Sequence, residues 1–349
     1  MTPTPRPHLA DLPPYTPGRP APQGAFKLSA NENPYPPLPG VLAATTATLD
    51  ALNRYPDMGA TALYDALAAR FGVATDRLAL GTGSVSLIYQ LLAAFCEPGD
   101  EVVYAWRSFE AYPIAVTVAG ARSVQVPLTA DARHDLPAMA AAVTDRTKVL
   151  LVCTPNNPTG PALTHTELAG FLGTVPAHVL VVVDEAYLEF VRMADPVDGL
   201  ALARDFPHVV LTRTFSKAYG LAALRVGYAI STPEIAGALR AVALPFGVST
   251  AGQAAAVASL AAEAELLARV DALVAERDRV LAGVRAAGWS VPEAQGNFVW
   301  LPTVRVSELA AAAAELGLVV RPLGDGVRAS IGEPEAGDLL IKLAESFRP

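Results

Sequence analysis

Seven short apolar runs, separated by stretches that read as helix, occupy residues 78–231 and leave this chain few folds to choose from. They span residues 78–83, 101–106, 123–128, 148–154, 179–184, 209–214 and 226–231. A run such as Val179-Leu-Val-Val-Val183 is apolar at every position, so both of its faces must be covered. Alternation with helices then predicts a seven-stranded, mainly parallel sheet with helices on both sides, an α/β architecture.

Beyond about residue 245 the pattern changes. An alanine-rich helical stretch (249–287) leads to Asn297-Phe-Val-Trp-Leu301, another helix, Leu318-Val-Val-Arg-Pro322 and Val327-Arg-Ala-Ser-Ile331. This predicts a smaller α+β domain over 246–349, after a large domain over 40–245. Residues 1–39 are proline-dense and are expected to add to the small domain as an extended segment.

Composition narrows the function. With 52% hydrophobic and 17% charged residues the chain can bury a large core, and a net charge of −8 leaves no basic face for nucleic acid. Cys96 and Cys153 form no CxxC and sit among no clustered histidines, so no metal site is expected and both read as reduced core residues. The N-terminus lacks a charged region followed by an apolar one, and no apolar stretch is long enough to span a membrane. A cytoplasmic protein is expected.

The candidate chemistry centres on Lys217, in Thr212-Arg-Thr-Phe-Ser-Lys-Ala-Tyr-Gly-Leu-Ala-Ala-Leu-Arg-Val-Gly-Tyr228. Lys217 is the only lysine between Lys148 and Lys342, and it follows directly on a predicted buried strand. An amine on a turn at the carboxyl end of a strand is placed as a nucleophile. Thr214, Ser216 and Arg225 add two hydroxyls and a guanidinium, which suits a cofactor carrying both an aldehyde and a phosphate, pyridoxal phosphate. Asp184 closes the apolar run 180–183; a carboxylate there is costly without a partner, and a protonated pyridine nitrogen would supply one. A metal-ligand role for Asp184 would need further ligands, and Glu185 should point away on an extended chain. Gly81-Thr-Gly-Ser-Val-Ser86 lies between a strand and a helix, so its backbone amides, with Ser84 and Val85 foremost, read either as a phosphate cradle or as a plain turn. Arg328, in an apolar strand, suits a bidentate grip on a carboxylate.

Ser-Lys-Ala-Tyr-Gly-Leu-Ala-x-Leu-Arg-x-Gly-Tyr resembles the lysine motif of the fold-type I, pyridoxal-phosphate-dependent aminotransferases, and within them the histidinol-phosphate aminotransferase subfamily. The resemblance runs from about Leu28 to the end. It implies that Lys217 holds the cofactor through its aldehyde and that Asn157, in Asn-Pro-Thr-Gly, and Tyr187 hydrogen-bond its phenolic oxygen. It further implies that Arg328 binds the substrate α-carboxylate and that Asn33, in Leu28-Ser-Ala-Asn-Glu-Asn-Pro, faces that carboxylate. Phe109 falls where the family stacks an aromatic ring on the cofactor; the other reading is a core phenylalanine. Tyr55 resembles a tyrosine that reaches the partner subunit's cofactor phosphate, which implies a homodimer with shared active sites; the other reading is a locally packed turn tyrosine. Arg321 has two readings, lining the far end of the pocket or forming a structural salt bridge.

For the substrate, the stretches 106–113 and 244–253 look more like the bacterial aromatic (phenylalanine) aminotransferase branch than like histidinol-phosphate enzymes. Tyr15 and Phe246 are candidates for apolar pocket surface, with core packing as the alternative for each. The expectation is therefore amino transfer between an aromatic amino acid and 2-oxoglutarate, with histidinol phosphate as the alternative substrate. A decarboxylase with the same cofactor residues and a pyridoxal-binding regulator are the competing classes; the short N-terminus leaves no room for the latter's DNA-binding domain.

Overall fold

The computed structural model describes residues 2–10 and 12–347. Its strands, in chain order, are β1 (Phe26–Lys27), β2 (Leu78–Gly81), β3 (Glu101–Trp106), β4 (Arg122–Pro127), β5 (Thr147–Cys153), β6 (Leu180–Asp184), β7 (Val209–Thr214) and β8 (Gly227–Ile230). The short strands β9 (Phe298–Pro302), β10 (Leu318–Val319), β11 (Arg321–Leu323) and β12 (Gly326–Ser330) follow the long helices. Strands β2 to β8 form one seven-stranded sheet in the order β2-β8-β7-β6-β5-β3-β4. All seven expected apolar runs are strands of this sheet, within one or two residues at most ends.

The unbroken apolar runs are explained by the two layers they serve. On β5 and β6, Leu150, Val152, Val181 and Val183 join the core on one face of the sheet. Their neighbours Val149, Leu151, Leu180 and Val182 join a second core on the other, with Tyr104 and Tyr112. Successive side chains point to opposite faces, so a strand covered on both sides has no position left for a polar residue. Cys153 is buried in the second core and Cys96 lies at its margin; both thiols are free, and burial pushes each up to about 12.

The sheet is parallel except for β8, which runs antiparallel to β7 and β2. Only a turn, residues 215–226, separates β7 from β8, so the chain must come back the way it went. The reversal brings the start of β8 to the carboxyl ends of its neighbours: Gly227 pairs with Gly81 at the end of β2 and with Thr214 at the end of β7. Lys217 is carried on that turn.

Two smaller sheets lie outside the large one. β9, β12 and β11 form an antiparallel three-stranded sheet, and β1 pairs in parallel with β10. The N-terminal segment continues along the same surface, with Ser330 N–H donating to the Leu28 carbonyl at 2.8 Å. The stretch 249–287, expected as one helix, is two: Thr250–Ala261 and Glu263–Ala286, with Ala262 outside helical geometry. At the break, Glu263 accepts hydrogen bonds from Arg70 and from the Tyr219 hydroxyl, and its carboxylate suits the positive end of the second helix.

Leu151, fully buried on β5, tests the two-layer packing. Leu151→Ala should cost about 2–5 kcal/mol of stability, the usual range for a leucine truncated in a close-packed core. Urea unfolding should show this as a lower midpoint at unchanged slope; a loss below about 1 kcal/mol would mean that this layer is not closely packed.

Candidate active site

Several groups, four of the residues singled out in the sequence among them, lie along the carboxyl edge of the large sheet. Phe109 and Tyr112 follow β3, Asn157 follows β5, Asp184 ends β6 and Lys217 follows β7. Crevices outside the carboxyl ends of parallel strands are where α/β proteins bind ligands.

Asp184 is buried, and its Oδ2 accepts a hydrogen bond from the Tyr112 hydroxyl at 2.7 Å. Its Oδ1 has no hydrogen-bond partner among the described residues. Burial drives the carboxyl pKa up to about 6, against the Tyr112 hydrogen bond that lowers it. Glu185, next along, is on the opposite side of the chain, where it pairs with buried Arg213 at 2.7 Å.

Lys217 Nζ donates to the Ala30 carbonyl at 3.0 Å. Burial, then the positive charge of Arg328 and lastly that of Arg225, bring its pKa down to about 7, with Glu32 opposing. An amine in that state is a competent nucleophile and proton carrier near neutral pH. Asn33 braces the turn itself: its Nδ2 donates to the Ala218 carbonyl at 2.9 Å, and its Oδ1 accepts from the Tyr35 amide.

Arg328 is buried in β12. Its Nη1 donates to Asn157 Oδ1 at 2.6 Å and its Nη2 to the Ser29 carbonyl at 2.7 Å, both neutral acceptors. Its Nε has no partner among the described residues, and burial lowers its pKa. The Tyr187 hydroxyl accepts from Asn31 Nδ2 at 2.9 Å, which leaves its own proton to give. Burial raises the Tyr187 pKa, and the charge of Arg328 opposes it.

A third group gathers where the helix Ser84–Phe95 begins. Gly83 precedes it with φ of 80° and supplies no side-chain cap, so the first amides of the helix, those of Ser84 and Val85 among them, face outward unpaired within the helix. Arg225 lies against this turn: a Cβ on Gly83 would sit 2.4 Å from Arg225 Nη2. Gly227 is equally constrained, since a Cβ there would come 2.4 Å from the Ser84 nitrogen. Arg225 Nη1 donates to Ser216 Oγ at 3.2 Å, and Thr214 Oγ1 accepts from the Ser216 amide at 3.1 Å. Helix-end amides, hydroxyls and a guanidinium thus converge as an anion-binding cup.

Several residues that sequence reasoning passed over belong to this edge. Asn31, at φ of 52°, is locked by Ser330 Oγ and reaches Tyr187; the Leu-Ser-Ala-Asn-Glu-Asn stretch held two asparagines, and residue type alone could not choose between them. Tyr112 lies in the first turn of the helix Ala111–Ala119, three residues after Phe109. Their rings meet edge to face at 5.6 Å. Arg321, with two readings open, forms an ion pair with Glu110. Tyr15 lies half exposed over the Arg321 guanidinium at 6.0 Å. Tyr55 is 81% exposed and stacks on Phe246 with ring centroids 4.6 Å apart, and Phe246 shares a cavity with Gly81, Thr82 and Ser86.

A family model for aminotransferase class I and II matches residues 24–335. The chain belongs to that family. The aromatic amino acid aminotransferase of Streptomyces avermitilis is 57% identical, over 98% of this chain and 97% of that protein. That of Rhodococcus opacus is 55% identical, over 99% and 96%. Among solved structures, histidinol-phosphate aminotransferase from Sinorhizobium meliloti in complex with pyridoxal-5'-phosphate superposes with a TM-score of 0.85 at 30% identity, covering 92% of this chain and 90% of that one. The aminotransferase fold expected from the sequence is therefore the fold of this chain.

The residues present fit pyridoxal phosphate. The orphaned Asp184 Oδ1 suits a protonated ring nitrogen, the cup at Ser84, Ser216 and Arg225 suits a phosphate, and Lys217 is an amine of lowered pKa for an aldehyde.

Asp184 gives a test that needs no turnover. Its folded pKa of about 6 lies above the ordinary 3.8, so its burial costs stability above pH 6 and costs nothing once pH falls below 3.8. In the cofactor-free chain Asp184→Asn should therefore stabilise by about 2–3 kcal/mol at pH 8, at roughly 1.4 kcal/mol per pKa unit. The gain should shrink toward zero as pH approaches 4. Denaturation curves at several pH values read this directly; a stability loss at pH 8 would show that the carboxylate is well paired without the cofactor.

Proposed function

We propose that this aminotransferase moves an amino group between an aromatic amino acid and 2-oxoglutarate, with Lys217, Asp184 and Tyr187 as its catalytic residues. The observation that carries the proposal is a set of incompletely paired groups: among the described residues Asp184 Oδ1 and Arg328 Nε are buried without hydrogen-bond partners, and Arg328 helps to hold the Lys217 amine at a near-neutral pKa. Such groups are costly in a resting protein and useful in a loaded one.

Pyridoxal phosphate, when bound, supplies an aldehyde that takes up the amine and a ring that draws electrons from the substrate Cα. The chain's own contributions are read from the family pattern together with the geometry that supports it. Ser84, Val85, Thr214, Ser216 and Arg225 would hold the phosphate end; Asp184 would keep the ring nitrogen protonated; Asn157 and Tyr187 would hydrogen-bond the phenolic oxygen; Phe109 would cover a ring face. Lys217 Nζ carries the proton taken from Cα and returns it on the cofactor side. Arg328 trades its neutral acceptors for the α-carboxylate, which binds a guanidinium more strongly than a carbonyl does. Asn33 acts through the lysine turn, and the 29–31 segment shields the amine from water. The donor leaves as its 2-oxo acid, and the second 2-oxo acid takes the nitrogen away.

Support for an aromatic substrate comes from the named relatives and from Arg321. Glu110 neutralises Arg321 and Tyr15 lies beside it, so an uncharged aromatic side chain meets no unpaired cation there, whereas a phosphate would first have to displace the Glu110 carboxylate. The purified protein should absorb in the visible and be bleached by borohydride, and Lys217→Ala should abolish both the bleaching and turnover. With 2-oxoglutarate as acceptor, kcat/KM should be higher for phenylalanine or tyrosine than for histidinol phosphate. A preference of more than about tenfold for histidinol phosphate, some 1.4 kcal/mol of transition-state discrimination, would reverse the assignment.

The same proposal includes a cytoplasmic homodimer, divided at about residues 39 and 245 into an N-terminal segment, a large domain and a small one. Leu52, Tyr55, Met58, Leu244 and Phe246 are exposed apolar residues. The last two and Met58 line a cavity of about 1020 Å³ whose wall also includes Gly81, Thr82 and Ser86 of the loop that carries the anion cup. An apolar surface of this kind suits a second copy, to which Tyr55 would bring its hydroxyl for the partner's phosphate. Among the described residues no helix is long and apolar enough to cross a membrane. Sedimentation should give a dimer, and Tyr55→Phe should weaken cofactor retention without dissociating it. A fully active monomer would remove Tyr55 from the site.

A further inference from the structure

Arg321 and Arg328 are direct cross-strand partners on β11 and β12. Opposed residues of an antiparallel pair put their side chains on the same face, with Cβ atoms about 5 Å apart. Two buried guanidiniums therefore stand side by side, yet they are occupied differently. Among the described residues Arg328 meets only neutral acceptors. Arg321 is met by a carboxylate: its Nε and Nη2 donate to Glu110 Oε2 at 3.1 and 2.9 Å, and Nη2 also reaches Oε1 at 3.0 Å. A further bond from Nη2 to the Thr16 carbonyl, 2.7 Å, and the Tyr15 ring complete its surroundings. The four groups act on one another, since Glu110 and Tyr15 raise the Arg328 pKa while Arg321 lowers it.

We infer that Glu110 is a specificity-determining residue: a resident carboxylate that fills the second guanidinium when the substrate brings one acid group and yields it when the substrate brings two. The inference rests on the aminotransferase reading above and concerns how one pocket serves both halves of that reaction. An aromatic amino acid has a single carboxylate, which goes to Arg328, and an apolar side chain. Beside that side chain an unpaired Arg321 would be a buried charge without a counter-ion, a large penalty. Glu110 removes the penalty, and Tyr15 adds an aromatic wall. A 2-oxo dicarboxylic acid has a second carboxylate, which can replace Glu110 on Arg321 as one anion for another.

Glu110 is built to leave. It immediately precedes the helix Ala111–Ala119, its side chain is 26% exposed against 9% for Arg321, and neither Arg321 nor its strand has to move. The displaced carboxylate stays close to the positive end of that helix, which offsets part of the lost pairing. The exchange costs every dianionic ligand something that a monoanionic one does not face, so Glu110 tilts selectivity toward one acid group without closing the pocket to two.

The test uses the holoenzyme and two unreactive ligands, glutarate with two carboxylates and 3-phenylpropanoate with one carboxylate and a phenyl ring. Dissociation constants are read by calorimetry, independent of turnover. Glu110→Gln keeps the size and removes the charge, and should shift the ratio of the two constants toward glutarate by about tenfold, the effect of one charge-assisted contact. Arg321→Gln reads the same device from the other side and should shift the ratio toward 3-phenylpropanoate. A purely structural role for the pair would weaken both ligands together. A ratio within about twofold of the parent in either variant, with 3-phenylpropanoate still bound, overturns the gate. Failure of the parent holoenzyme to bind either ligand overturns instead the substrate reading beneath it.

Discussion

The site depends on charges being buried before they are fully paired. Asp184 and Arg328 are buried and Lys217 is partly buried, and among the described residues each has a position that nothing fills or that only a neutral carbonyl occupies. Desolvation is what moves the Lys217 pKa toward neutrality and lifts the Asp184 carboxyl. The same desolvation makes the arrangement unfavourable in isolation, so the surrounding sheet must supply the stability. The two apolar layers over β5 and β6 do this, holding the strand ends rigidly while the groups at their tips remain unsatisfied.

One topological feature converts a row of strand ends into a pocket. Were β8 parallel, its first residues would lie at the far edge, and Arg225 with them. Because it returns straight from the lysine turn, Gly227 comes level with Gly81 and Thr214, and Arg225 reaches Gly83 and Ser216. Two glycines at that junction keep the backbones close enough for the amides of Ser84 and its neighbours to face the same space as the guanidinium. A larger residue at either position would open the cup rather than merely crowd it.

Much of this was legible in the sequence. Unbroken apolar runs specify a sheet buried on both faces, and a polar or charged residue at the end of such a run marks a strand tip; Asp184, Asn157 and Lys217 could be found in that way. What was not legible is what depends on distant partners. Asn31 and Asn33 have equal local signals, and which of them enters the pocket is decided by Ser330, 299 residues away along the chain. Glu110 looks like any exposed helix-start carboxylate until β11 brings Arg321 to it, 211 residues later in the chain. The break at Ala262 is equally invisible in an alanine-rich stretch, because its cause, the grip of Arg70 and Tyr219 on Glu263, is tertiary.

These distant contacts share a pattern with a functional consequence. Ser29, Ala30 and Asn31 contribute a carbonyl to Arg328, a carbonyl to Lys217 and an amide to Tyr187, so three consecutive residues touch three functional groups. Their path is fixed by the small sheets, through Leu28 on Val319 and Ser330, and through Asn297 on Asn31. The large sheet positions the groups that suit the cofactor, but the segment that excludes water from them is held by the last third of the chain. A carbonyl is a good occupant for a waiting cation because it satisfies hydrogen bonds without neutralising charge. It keeps Arg328 and Lys217 ordered, leaves their electrostatic pull on an incoming anion intact, and can be displaced by a carboxylate that brings the missing charge. At Arg321, by contrast, Glu110 supplies a full counter-charge, and it stands at the position where the two substrates of the proposed reaction differ.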